Sequence, residues 1–375
     1  MSRVKVTTPA HLKLVSNEDT YQFESINAQD IEPKLQPWLW PGFIPLNSVT
    51  LFAGEGGIGK SHLLIEIASK ISTGEKFSAC GFDHQFPQGK VVMLTAEDDF
   101  EYTIKPKLMA SQADFSQIEI LKMSTNMATG KKRFIDLSRE LAALRLKILD
   151  FGNVKILIID PILYFIGGVK ENYNAEVSNF LGELSDFAKE LEIAVVINKH
   201  FRKKSSGSSI TSAMDEVGGA GSWLNSPRLS WAITRWHEDP NVIVVTNLKA
   251  NIIKKTTECF AYKLMGCSVT TEAGLIIPTC RLVWLDKMIQ MSADEAVNPE
   301  TYEKSKGDAA FDLVVDYLKE HGQSVSKNVR AAVSAKGFSD RTYERAINQL
   351  KRDGMLIIDP GSGSNKLYTL RDMNY

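Results

Sequence analysis

Two hydrophobic rhythms alternate along the first two-thirds of the chain. Short runs rich in β-branched residues, VTLFAG (Val49 to Gly54), VVMLT (Val91 to Thr95), KILIID (Lys155 to Asp160) and IAVVIN (Ile193 to Asn198), are nearly all apolar, the pattern of strands buried on both faces. Between them, SHLLIEIASKIS and NAEVSNFLGELSDFAKEL carry apolar residues every three or four positions and predict amphipathic helices. The alternation predicts an α/β fold with a mostly parallel central sheet covered by helices on both faces. Two further β-rich runs, RLSWAITR (Arg228 to Arg235) and NVIVVTNLKA (Asn241 to Ala250), are separated by a short turn at Glu238–Pro240, so the sheet is expected to continue in antiparallel fashion.

The flanks read differently. Residues 1–32 are polar with little periodicity and are expected to form a flexible arm. PKLQPWLWPGFIP (Pro33 to Pro45) packs four prolines and two tryptophans into one segment, which suits an extended strap on a hydrophobic surface. Residues 290–307 are polar and strand-poor, the composition of a linker between a core at 33–289 and a small domain at 308–375. In that domain AFDLVVDYLKEHG, SVSKNVRAAVSAKG and SDRTYERAINQLKRDG read as three helices, with Ser339 as an N-cap for the third. They are followed by a hairpin turning at PGSGSN. Three helices and a hairpin predict a winged-helix-like domain that binds duplex DNA or a protein partner.

Composition narrows the class. The chain has 375 residues, 44 basic against 45 acidic, and four cysteines without CxxC spacing. The length allows two or three domains at roughly 100–200 residues each, and the cysteines read as reduced thiols of a cytoplasmic protein rather than a zinc site. No apolar run reaches the roughly 18 residues of a membrane span, and the first residues lack the apolar core of a secretory signal. A net charge of −1 excludes a protein that coats nucleic acid over its whole surface and leaves room for a local basic channel. Between Lys319 and Arg352 eight Lys or Arg stand against three acids, so one such region is the C-terminal domain.

The chemistry begins at Gly54-Glu55-Gly56-Gly57-Ile58-Gly59-Lys60-Ser61, which fits G-x-x-x-x-G-K-[ST] between a strand and a helix. This is the context of a P-loop: backbone N–H groups cradle phosphates, Lys60 neutralises them, Ser61 ligates Mg2+, and His62 opens the helix behind it. ATP and Mg2+ are therefore the expected ligands. Asp160 ends an apolar strand where ligands gather in α/β sheets and is the expected second Mg2+ ligand. Glu97 and Asp98 lie just past another strand. Acids there suit either a helix start or a general base, and Glu97 is the better base because Asp98 and Asp99 look like the helix start. Past His200, Arg202, Lys203 and Lys204 form a basic run that reads either as a solvated loop or as a grip on a phosphate backbone. Arg228 and Lys249, at strand ends, are either ordinary surface cations or groups that reach a neighbouring subunit's nucleotide.

The series GEGGIGKS, LTAEDD, LIIDP, INKH, GGAGSWLNSPR and NLKANI resembles, in order and spacing, the RepA-like branch of the RecA-type hexameric ATPases, over residues from about 35 to 265. The resemblance implies a RecA-type core and a homo-oligomer, hexameric in the family pattern. It implies Lys60 and Ser61 on nucleotide and Mg2+, Glu97 as base, Asp160 as the Walker B acid and His200 as a γ-phosphate sensor. Arg228 would be an arginine finger and Lys249 an interface cation. It also implies ATP-driven movement on single-stranded DNA in plasmid or phage replication. Two departures stand out: Lys199-His200 replaces the family's His-His, and Gly219-Ala220-Gly221-Ser222 replaces a charged R-G-S-S. Two other functions suit the same residues, an ATP-switched DNA-binding initiator or regulator without unwinding, and a recombination or repair ATPase.

Overall fold

The computed structural model describes residues 25–125, 129–202, 212–361 and 366–371; most of the expected arm, together with Lys203 and Lys204, lies outside them. Residues up to Gln36 form a unit of their own, in which the described part is exposed and holds one 3-10 turn, Ala28–Asp30, capped by Asn27.

From Pro37 onward the chain builds one large sheet. Its strands are β1 (Ser48–Gly54), β2 (Lys90–Thr95), β3 (Ile118–Leu121), β4 (Val154–Asp160), β5 (Ala194–His200), β6 (Leu229–Arg235), β7 (Val242–Ala250), β8 (Glu258–Thr270), β9 (Ile276–Trp284) and β10 (Ile289–Gln290). They lie in the order β9-β8-β7-β6-β1-β5-β4-β2-β3, with β10 beside β8. From β6 to β3 every pairing is parallel, and β6 through β9 pair antiparallel. This mostly parallel core is consistent with a RecA-type P-loop fold, and the antiparallel turn after Arg235 follows the hydrophobic pattern. The β8–β9 hairpin had no counterpart in the sequence reading, because its strands mix exposed and half-buried residues and show no steady alternation.

Period-two alternation divides the core in two. Val49, Leu51, Leu157, Ile159, Val195 and Ile197 face helices α3 (Leu137–Phe151) and α4 (Asn174–Glu190). Phe52, Ile156, Ile158 and Val196 face α1 (Lys60–Thr73) and α2 (Lys105–Ala110). Helix α4 buries Val177, Phe180, Leu181, Leu184, Phe187 and Ala188, one stripe at helical spacing. The aromatic segment at Pro37–Pro45 is a short antiparallel pair, Trp38–Trp40 with Ile44–Pro45. It seals the α1 face with Leu39, Trp40, Phe43 and Ile44, and Trp231 Nε1 donates to the Phe43 carbonyl at 3.0 Å.

Residues 290–307, expected as a linker, are structured. Helix α5 (Ala293–Val297) starts in a capping box between Ser292 and Glu295 and buries Ala293 and Ala296, and α6 begins at Pro299 and runs to His321. Composition misled because alanine buries a face without a hydrophobic signature and because capping residues are polar. After α6 come β11 (Ser324–Val325), α7 (Ser326–Ala335), α8 (Asp340–Arg352), β12 (Leu356–Pro360) and β13 (Lys366–Leu370). The hairpin of the sequence reading gains β11 as a third strand, in the order β11-β13-β12. Val314, Leu318, Val329, Val333, Tyr343, Ile347 and Leu350 close a separate small core. Ser339 accepts from the Thr342 N–H as the N-cap of α8.

Candidate nucleotide site

The loop between β1 and α1 is shaped by close approach. A Cβ at Gly54 would run into the Ile233 carbonyl on β6, and Gly59, at φ +104°, would place one 2.9 Å from Leu264 Cδ1. Tyr262 Oη also donates to the Gly59 carbonyl at 3.2 Å, so the β8 strand pins the loop from the side. Ile58 is buried in the core, which leaves its backbone to face a ligand. His62 turns away: its Nε2 lies 3.0 Å from Cys280 Sγ on β9, and burial, then Lys107, depresses its pKa to about 4. It therefore meets a ligand only through the main chain.

Lys60 is 3% exposed. Its ammonium donates to the Gly54 carbonyl at 2.9 Å and the Glu55 carbonyl at 2.5 Å, and it lies 3.2 Å from His200 Nδ1. Burial pulls its pKa down to about 8 against the opposing fields of Asp160, Glu97 and Glu55. An ammonium only donates, so Nδ1 of His200 accepts and the ring proton sits on Nε2. That nitrogen is 3.3 Å from Glu97 Oε1. A single imidazole thus joins the P-loop lysine to the candidate base. The neighbouring acids are spent elsewhere: Asp98 pairs with Lys107 at 2.8 Å, and Asp99 accepts from the Glu101 and Tyr102 N–H groups as an N-cap.

Register explains the convergence. His200 is level with Gly54, and Asp160 with Thr95, two residues before Glu97. Asp160 is buried and takes hydrogen bonds from Asn198 Nδ2 and from the Ser61 hydroxyl. Burial pushes its carboxyl up, and the two donors and Lys60 oppose that. A carboxylate and a hydroxyl in contact are hard oxygen donors, and a cation between them would offset the buried charge, so the pair fits Mg2+. Among the described residues no cluster of three His, Cys, Asp or Glu side chains offers a metal cage, which leaves the other Mg2+ positions to water and phosphate oxygens. Asn198 escaped the sequence reading although its signal was present: it is two residues before His200 on the same strand and so shares its face.

The remaining candidates lie apart. Arg228 opens β6 with its N–H on the Val49 carbonyl. It is thus five residues from Gly54 along β1, roughly 16 Å at about 3.3 Å per residue. Its side chain is exposed. Lys249, opposite Ser230, donates to the Leu224 and Asn225 carbonyls at 2.9 and 2.7 Å. Its pKa is lowered by burial and then by Arg228. Lys249 is therefore held by the short helix Ser222–Asn225, while Arg228 projects. Arg202, beyond His200, donates its N–H to the Glu216 carbonyl at 2.7 Å. Lys199, on the other face of β5, donates to the Val217 carbonyl at 2.9 Å and pairs with Glu171 at 3.8 Å. The two ends of the segment 203–215 are thereby tied together beside the nucleotide site.

A family model described as AAA domain matches residues 17–206, a little over half of the chain. No curated protein matches the chain. Among solved structures it is similar to the ATPase domain of a phage helicase, with a TM-score of 0.41 and 12% identity, over 62% of this chain and 84% of that one. A likeness at that level adds nothing to the geometry of the site. Among the described residues no helix is long and apolar enough to cross a membrane.

Proposed function

The chain belongs to the AAA domain family, and from that premise we propose that it is an ATP-hydrolysing homo-oligomeric motor of the RepA-like helicase type, acting on single-stranded DNA in plasmid- or phage-type replication. The observation that carries the reading is the contact chain from Lys60 through His200 to Glu97 beside the Asp160–Ser61 pair. Phosphates entering the loop draw Lys60 from the Gly54 and Glu55 carbonyls onto their oxygens. His200 then loses the donor on Nδ1, and its hold on Glu97 responds to the γ-phosphate. Glu97, half-exposed, takes the proton of the attacking water. Ser61 and Asp160 are the residues that would hold Mg2+, which when bound neutralises phosphate charge.

In this reading Arg228 serves the nucleotide of a neighbouring subunit, since the strand register keeps it from its own P-loop. Arg202, with Lys203 and Lys204, faces the DNA channel of a ring, and residues 308–375 form a winged-helix-like domain for duplex DNA or a replication protein. A second reading, an ATP-switched initiator that binds DNA without unwinding, is favoured by one observation, the excess of five positive charges between Lys319 and Arg352. ATPase assays with and without single-stranded DNA, beside strand displacement and sizing with a nonhydrolysable analogue, decide between them. The motor predicts DNA-stimulated hydrolysis, displacement and a ring. Unstimulated hydrolysis by a monomer overturns it, and slow hydrolysis with duplex binding but no displacement selects the switch.

A further inference from the structure

The small C-terminal unit carries a trough of about 480 Å³, walled by the first turns of α7, one face of α8 and the start of β13. Its floor is rigid. Tyr343 and Tyr368 are buried, and Tyr343 Oη donates to the Ser326 carbonyl at 3.2 Å. The β13 backbone is tied to the same spot, Lys366 N–H donating to Ser326 Oγ at 3.2 Å. Four cations line the walls: Lys327, Arg330, Lys351 and Lys366. Arg330 is already matched, lying 3.0 Å from Glu344, 3.8 Å from Asp340 and over the Tyr343 ring. Lys327, Lys351 and Lys366 are exposed and have no ion pair among the described residues. They come from three different elements, so their convergence is a property of the fold rather than of a local run of charge.

We propose that this trough is a seat for the backbone phosphates of duplex DNA, with Lys327, Lys351 and Lys366 as the phosphate contacts. The proposal deepens the reading of residues 308–375 given above and rests on it. Three flexible point charges on separate walls suit phosphates spaced along a backbone, and Asn348 and Ser326 add neutral donors between them. The first turn of α7 has no side-chain cap, so its N–H groups face the same anion. Charge extends beyond the rim on the outer face of α8 through Arg341 and Arg352, both exposed. An acidic peptide is the poorer occupant. Peptide recognition relies on apolar anchors in pockets, and Ile347 is the one aliphatic side chain in the lining.

The test uses the full chain and three labelled probes: a 20-base-pair duplex, a single strand of equal length and a poly-glutamate peptide. Binding is followed by fluorescence anisotropy over a series of salt concentrations. Replacing all three lysines by glutamine is expected to weaken duplex binding at least tenfold. It should also flatten the plot of log affinity against log salt by about one unit per lysine. Single-strand binding, basal ATPase activity and the melting temperature should not change. The triple Lys→Arg variant, which keeps the charges, should bind duplex like the parent. If the parent binds duplex and the glutamine variant does so with the same affinity and slope, the trough is not the seat, although the domain still binds DNA. A parent that binds no duplex overturns both readings of the domain. Preference for poly-glutamate over duplex replaces DNA with an acidic protein partner.

Discussion

The two ends of β1 hold lysines in opposite ways. At the Gly54 end, Lys60 rests on two loop carbonyls and a histidine, contacts that a phosphate can replace with stronger ones. At the Val49 end, Lys249 spends its donors on the carbonyls that close the helix Ser222–Asn225, contacts that belong to the fold. Arg228, three residues beyond that helix, is left to project. One end is therefore poised for exchange with a ligand. The other is a bracket that aims a single cation, and a lysine at a strand end is not by itself evidence of a chemical role.

The largest expected effect lies at the exchangeable end. Glu97→Gln keeps an oxygen to accept from His200 Nε2 and removes the basicity, so turnover should fall on the order of 10²–10⁴-fold. The affinity for a nonhydrolysable analogue, measured by calorimetry, should hold. Loss of affinity in parallel with turnover would mean that Glu97 organises the pocket rather than the water, and the exchangeable end would then be structural too.

The opposite end should answer differently. Arg228→Ala removes an exposed side chain, so stability should stay within a few tenths of a kcal/mol. Hydrolysis by the assembled oligomer should drop by about 10³-fold or more if the residue completes a neighbour's site. Lys249→Met leaves two carbonyls without their donor, which costs about 1–3 kcal/mol, and it loosens the turn that aims Arg228. A melting curve beside a turnover assay separates the two. Full stability with lost turnover in Lys249→Met would show that Lys249 acts directly, and the bracket would be wrong.

The phosphate cradle was legible because its function needs a contiguous run of glycines followed by Lys60 and Ser61, and the strand tips at Asp160 and Glu97 followed from the apolar runs before them. Asn198 was legible in principle from its spacing to His200. The pinning of Gly59 by Tyr262 was not, because the partner lies 203 residues away on a hairpin with no steady alternation. Nor was the bracket at Lys249, since a backbone carbonyl acceptor leaves no trace in residue type. The helix in the expected linker was hidden by alanines. In each case the missed feature depended on contacts between distant segments or on main-chain acceptors, while the features that were read depended on local geometry.

Alkaline pH sharpens the comparison with the smallest effect. Burial brings Lys60 to about 8 from 10.5, so between those values the unfolded chain binds a proton that the folded chain has released. Stability of the nucleotide-free protein therefore gains a contribution as pH rises through that window. Nucleotide binding needs the ammonium and should weaken over the same range, approaching tenfold per unit above pH 8. Melting curves from pH 7 to 10, with and without a nonhydrolysable analogue, should show the shift produced by nucleotide shrinking above pH 8. In Lys60→Met both effects should vanish together, because the group that releases the proton and the group that grips the phosphate are the same. A nucleotide shift that stays constant to pH 10 would mean that Lys60 remains charged against its carbonyls, and that the cradle holds phosphate mainly through its backbone.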